Sequence, residues 1–329
     1  MWSALFSMLS PAGHAGRLSI LIFHRVLPRP DPLFPDEPHA ATFDAICQWL
    51  AQWLHVLPLD EAVQRLRRGD LPARAAAITF DDGYADNHDI AAPILQRHGL
   101  TATFFVATGF LDGGRMWNDT VIEAIRRTPS PELALADLLP SAGGSPDVAP
   151  RVRVDDVASK RALIDQVLQR IKHLPTAQRE QVVAGIAERA AAELPLDLMM
   201  TSQQVKGLRA LGMGVGAHTI SHPILAGLDE AASRREIGDG RDALAGLLGE
   251  SIPLFAYPNG KPSQDYSPQC VALVRSLGFD AAVSTAWGAA SASSDPFQLP
   301  RFTPWDRTRA RFALRLALNL RAAQSPAAV

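Results

Sequence analysis

Seven short apolar runs, rich in β-branched or aromatic residues, recur along the chain near 18–23, 76–80, 101–106, 213–217, 252–256, 280–284 and 299–303. Runs of this length predict buried strands, and the helical segments between most of them predict parallel βα units, an α/β fold. The rhythm breaks once. Residues from about 112 to 200 hold no strand-like run. Asn118 is placed to cap a helix through Thr120–Ile125. Pro129 to Pro150 reads as a loop or linker. Leu163, Ile164, Val167, Leu168 and Ile171 fall at helical spacing, and a further helix is predicted from Thr176 to Glu193. The expectation is one domain over 1–329, with 112–200 a helical insertion packed over or beside the mouth of the strand-built core. Thr201 or Ser202 should cap a helix that stops at Gly212. No internal repeat is evident.

Two of the strand-like runs end in groups that can do chemistry. Ala76–Phe80 delivers Asp81 and Asp82, and Met213–Ala217 delivers His218, with His222 four residues on. Either half alone is ordinary: an Asp-Asp-Gly is usually a solvated turn, and histidines at i, i+4 share a helical face without having a function. Together they differ. Ligands of α/β sheets and barrels bind at the carboxyl ends of strands, so both halves point to one rim. One carboxylate plus two imidazoles is a ligand set for a divalent metal with open positions, and the other carboxylate is left to handle protons. A metal, a base and room for water read as a hydrolase.

Composition narrows the partners. The chain has 329 residues, 47% apolar and 20% charged, with formal net charge −2. That is ordinary for a globular protein, and no basic excess points to nucleic acid. Cys47 and Cys270 are too few for a disulfide framework or a thiolate zinc site. No uninterrupted apolar run is long enough for a transmembrane helix. Met1–Leu9 is apolar but lacks the basic start of a secretory signal, so the expected location is cytoplasmic. From Asp306 to Ala322, Arg307, Arg309, Arg311, Arg315 and Arg321 alternate with Phe312, Leu316, Leu318 and Leu320. This predicts a helix that closes the core with a solvated arginine face; a peripheral contact with anionic lipid is the alternative.

The string Thr79-Phe80-Asp81-Asp82-Gly83-Tyr84, the pair His218-Thr219…His222 and the later Phe255-Ala256-Tyr257-Pro258-Asn259-Gly260 resemble, in order, the motifs of the polysaccharide deacetylase family, carbohydrate esterase family 4. The resemblance covers about residues 18 to 303. It implies an incomplete, distorted (β/α) barrel of about seven parallel strands. It also implies removal of acetyl groups from N-acetylated sugars with zinc or a similar metal; carboxylate and imidazole donors suit zinc, and also cobalt, nickel or iron. Carried over by motif, Asp82, His218 and His222 are the metal ligands, Asp81 is the general base, and the backbone N–H of Tyr257 holds the oxyanion. His24, after the first strand, is expected to line the site. Trp117, Asn118, Asp119 and Trp287 are candidates for sugar contact.

Two departures stand out. The family's arginine before the Tyr-Pro loop is absent from Pro253-Leu254-Phe255. Its Leu-His near the C-terminus is replaced by Gln298-Leu299-Pro300-Arg301-Phe302. Arg301 is expected to replace the missing arginine by pairing with Asp81, although it could instead bind an anionic substrate group or lie on the surface. Proton delivery to the leaving amine then falls to His24 or to a metal-held water. The implied partner is an N-acetylated glycan or glycolipid. The rivals are a deacylase or imidase acting on a small non-sugar amide, and a non-catalytic glycan-binding relative.

Overall fold

The computed structural model describes residues 2–140, 149–304 and 306–322. In chain order the strands are β1 (Ser19–Phe23), β2 (His55–Val56), β3 (Ala75–Phe80), β4 (Thr103–Val106), β5 (Glu132–Leu133), β6 (Val152–Arg153), β7 (Gly214–Ala217), β8 (Leu254–Ala256), β9 (Ala281–Trp287) and β10 (Leu299–Arg301). Each of the seven expected runs contains a strand. They pair in the order β1-β3-β4-β7-β8-β9-β10, every neighbour parallel, with β2 added on β3. The ends of this path nearly meet. Ile22 N–H donates to Phe302 O (3.0 Å) and Phe302 N–H to Ile20 O (2.7 Å), a single bridge between the first and last strands. The fold is a distorted (β/α) barrel, and all its strands point their carboxyl ends the same way.

Alternation sorts the side chains. Ile20, Ala75, Ala77, Phe105, Leu254, Ala256, Ala281, Val283 and Leu299 share one buried cluster. Phe23, Ile78, Phe80, Phe104, Val215 and Phe255 join a second with the flanking helices. Period-2 alternation thus divides each strand between two apolar layers, which is why the runs are apolar throughout rather than half polar. The first helix, Trp2–Leu9, buries Phe6 against Trp53. Both cysteines are buried and free.

The chain divides into two compact units: one comprises residues up to Pro30, Asp36–Asp112 and from Met199 onward, the other Asp31–Pro35 and Gly113–Leu198. The second has its own core, built from Leu33, Val121, Ile125, Leu163, Ile164, Val167, Val183 and Ile186. Its helices are Trp117–Arg127, Val157–Ile171 and Thr176–Ala190. Two expectations change here. Asn118 lies inside the first helical turn, with Met116 at the cap position. A two-residue antiparallel ladder, β5 with β6, stands where no strand was expected, because two residues are too short to show alternation. Part of the expected linker, 141–148, lies outside the described residues.

Candidate active site

The β3 strand places Asp81 and Asp82 at its carboxyl end, and their surroundings separate them. Asp81 is buried and bound at both oxygens by Arg301, Nη1 to Oδ1 and Nη2 to Oδ2, each 2.7 Å. Arg301, only 1% exposed, leaves β10 on the far side of the seam. It also donates from Nε to Ser284 O (2.8 Å) and from Nη1 to Thr79 Oγ1 (3.3 Å). Burial pushes the Asp81 carboxyl up, but the Arg301 charge and hydrogen bonds, with His218 nearby, hold it below the usual range. A bidentate fork of this kind fixes the carboxylate plane as well as its charge.

Asp82 faces the histidines instead. Its Oδ1 lies 3.4 Å from His218 Nε2 and 3.4 Å from His222 Nε2, and the ligand atoms of all three lie within 4.8 Å of one another. That oxygen is buried and has no hydrogen-bond partner among the described residues. His218 Nδ1 sits 2.8 Å from Ala256 O; as the N–H donor there it leaves the Nε2 lone pair aimed at the cluster. Burial pushes His222 down to about 4, so it is neutral at pH 7. Burial raises the Asp82 carboxyl, but the imidazoles of His218 and His222 outweigh it and hold it well below the usual range. A bare buried oxygen and two neutral-capable nitrogens with one fixed tautomer fit a divalent cation. As a purely structural cluster they would leave a buried polar atom unsatisfied, at a cost of about 1–3 kcal/mol.

The backbone here is forced. Asp82 (φ 79°), Thr219 (φ 66°) and His222 (φ 54°) all occupy the left-handed region without being glycine. Such strain persists only where surroundings impose it, and it clusters at functional sites. The histidine pair therefore does not share a helical face. His218 leaves β7, and a turn carries His222 back to it. Glu236 holds that turn, accepting from Ile220 N (3.0 Å) and Ser221 N (2.9 Å) at Oε2 and from Ser221 Oγ (2.7 Å) at Oε1. Gly240, one helical turn further on, is pressed so close that a Cβ would sit 2.9 Å from the Thr219 carbonyl atoms. Gly240→Ala is expected to cost about 1–3 kcal/mol by overpacking and to weaken cation binding by displacing the turn. Denaturant midpoint and metal titration of the variant check this.

His24 follows β1 onto the same rim. It is exposed, and its charge bears on Asp81, Asp82 and His222. Its loop is clamped by residues that sequence reading missed. Asn87 Nδ2 donates to His24 O (2.8 Å), Val26 N to Asp86 Oδ1 (3.2 Å), and Arg25 Nε to Asp86 Oδ2 (2.8 Å). Asn87 begins a π-helical turn, Asn87–Ala91, a form common near functional sites. Tyr257 requires a correction. Its N–H is donated to Val283 O (3.2 Å), its hydroxyl to Phe297 O (3.0 Å), and its ring stacks on Tyr266 at 3.9 Å. It extends the sheet and packs, so it has no backbone donor to offer. In the loop beyond, Asn259 (φ 59°) makes no N–H bond among the described residues. Trp117 lies in the second unit under the Arg179 guanidinium (5.0 Å), beside Asn118 and the buried Asp119. Trp287 is exposed at the end of β9.

The sequence matches the family model described as polysaccharide deacetylase over residues 68–131 and 175–282, so the gap between the matched segments falls within the second unit. YxkH of Bacillus subtilis (strain 168), named as a polysaccharide deacetylase, is 21% identical over 287 residues, 87% of this chain and 70% of that protein. Two solved structures share the fold. IcaB from Ammonifex degensii superposes with a TM-score of 0.59 at 19% identity, covering 95% of this chain and 99% of that one. The Streptococcus pyogenes deacetylase PplD, in complex with acetate, gives 0.56 at 20% identity, covering 87% and 92%.

Proposed function

The chain belongs to the polysaccharide deacetylase family, and from that premise we propose that it is a metal-dependent hydrolase removing N-acetyl groups from a GlcNAc-containing polysaccharide, oligosaccharide or glycolipid precursor. The observation that carries the reading is an arginine-fixed carboxylate, Asp81, next in sequence to the Asp82–His218–His222 set. Those three residues would hold the cation, zinc being favoured by the oxygen and nitrogen donors. When bound, it supplies Lewis acidity and lowers the pKa of a water.

The chain's own residues divide the remaining work. Asp81 accepts the proton from the attacking water, and Arg301 keeps it ionised and oriented for that transfer. His24, on its clamped loop, gives a proton to the leaving amine nitrogen. The Asn259 N–H takes the oxyanion role first assigned to Tyr257, as a preorganised donor that costs little reorganisation during reaction. The intact base and ligand positions argue against a non-catalytic glycan-binding role.

Acetate release from N-acetylglucosamine oligomers with added zinc or cobalt tests the reading. Release that stops with a chelator and returns with the ion is expected. Metal-loaded protein that releases none from any N-acetylated glycan, yet cleaves a small non-sugar amide, would overturn the substrate assignment.

A further inference from the structure

The C-terminal helix, Arg309–Arg321, is apolar on two faces. Phe312, Ala313, Leu316, Ala317 and Leu320 are buried in the core. Arg311, Leu314, Arg315 and Leu318, spaced i, i+3, i+4 and i+7, form an exposed stripe in which Leu314 is 56% and Leu318 52% exposed. A solvated face would be polar throughout. Single exposed leucines are ordinary, but these two adjoin Trp287, itself 41% exposed. With Asp306, Arg311 and Arg315 they line a groove of about 430 Å³.

Charge and position add to this. Between Asp306 and Ala322 the sequence holds five arginines and one acid. Asp306 is committed to Arg315, while Arg311 and Arg321 have no acidic partner among the described residues. Trp287 is the register partner of Arg301, the residue that grips Asp81. The patch therefore begins at the rim that carries the site. No helix among the described residues is long and apolar enough to cross a membrane.

We propose that this stripe docks the protein on an anionic lipid surface. Leu314, Leu318 and Trp287 enter the interface, and Arg311, Arg315 and Arg321 meet the headgroups. Apolar insertion plus cationic attraction is the physics of interfacial helices, and tryptophan suits the headgroup level. Leu314 and Leu318 give the groove an exposed apolar wall beside its arginines, the composition of an interfacial helix. The docking stands apart from the catalytic reading; only its consequence, that the rim meets sugars carried on lipid, rests on the deacetylase assignment.

Sedimentation of the whole protein with vesicles tests it, comparing phosphatidylglycerol mixed into phosphatidylcholine with phosphatidylcholine alone. Binding to the mixed vesicles only, weakening as salt rises, is expected. Leu314→Ser combined with Leu318→Ser should weaken it about tenfold or more, and Arg311→Glu should also weaken it. Acetate release from a soluble oligomer should be unchanged in both, which shows that they fold. No vesicle binding, or binding indifferent to these changes, would sink the proposal. So would a raised KM for soluble glycan in Trp287→Ala without vesicle binding, which would make the groove a sugar subsite.

Discussion

Replacing His218 or His222 with alanine is expected to remove the bound cation and reduce turnover by about 10³-fold or more, the scale of a Lewis-acid contribution of several kcal/mol. The loss follows from ligand count. Asp82 Oδ1 already lies 3.4 Å from both imidazole nitrogens with no hydrogen bond of its own. Removing either ring leaves two protein ligands, too few for a stable site. Elemental mass spectrometry of purified protein should find one equivalent of metal in the wild type and little in either variant. A fully active wild type without stoichiometric metal would overturn the assignment.

Asp81→Asn is the second large effect, and it should differ in kind. The side chain faces Arg301 rather than the histidines, so metal content should persist while turnover falls about 10²–10⁴-fold. Asp82→Asn should lose metal as well. If both variants hold metal equally and only Asp82→Asn is inactive, the two roles are reversed.

The arginine gives this prediction a pH signature. Asp81 works as a base only when ionised, and Arg301 holds its carboxyl below the usual range. Removing the cation lets the carboxyl pKa rise, so in Arg301→Met the acidic limb of kcat/KM should move to higher pH. The same depressed carboxyl favours the fold above the unfolded pKa, and that contribution is lost as pH falls through the folded value. Because breaking a buried pair costs about 3–5 kcal/mol, Arg301→Lys is the companion. It keeps charge but loses the fork, so a smaller shift is expected. An unmoved limb with a raised KM in both would make Arg301 a substrate-binding residue.

What the sequence by itself determined was local. Each barrel strand announced itself because a run buried on both faces is apolar throughout; Asp81, Asp82 and His218 were legible because each stands at the end of such a run, and His222 by its spacing from His218. The Thr201 cap was legible for the same reason: its partner is Gln204, three residues on. Contacts set by barrel closure had no local signature. Asn87 reaches His24 across 63 residues and Glu236 reaches Ser221 across 15 from a different element, while the Arg301–Asp81 pair, 220 residues apart, was expected only because the family's usual arginine is missing. Tyr257 misled because the fate of an N–H depends on the neighbouring strand, and here β9 took it through Val283. The i, i+4 spacing of the histidines left the path between them open, because spacing alone cannot distinguish a helical turn from a forced left-handed one. Only the tertiary structure decided that, because only packed neighbours such as Glu236 and Gly240 can hold non-glycine residues in so unfavourable a backbone.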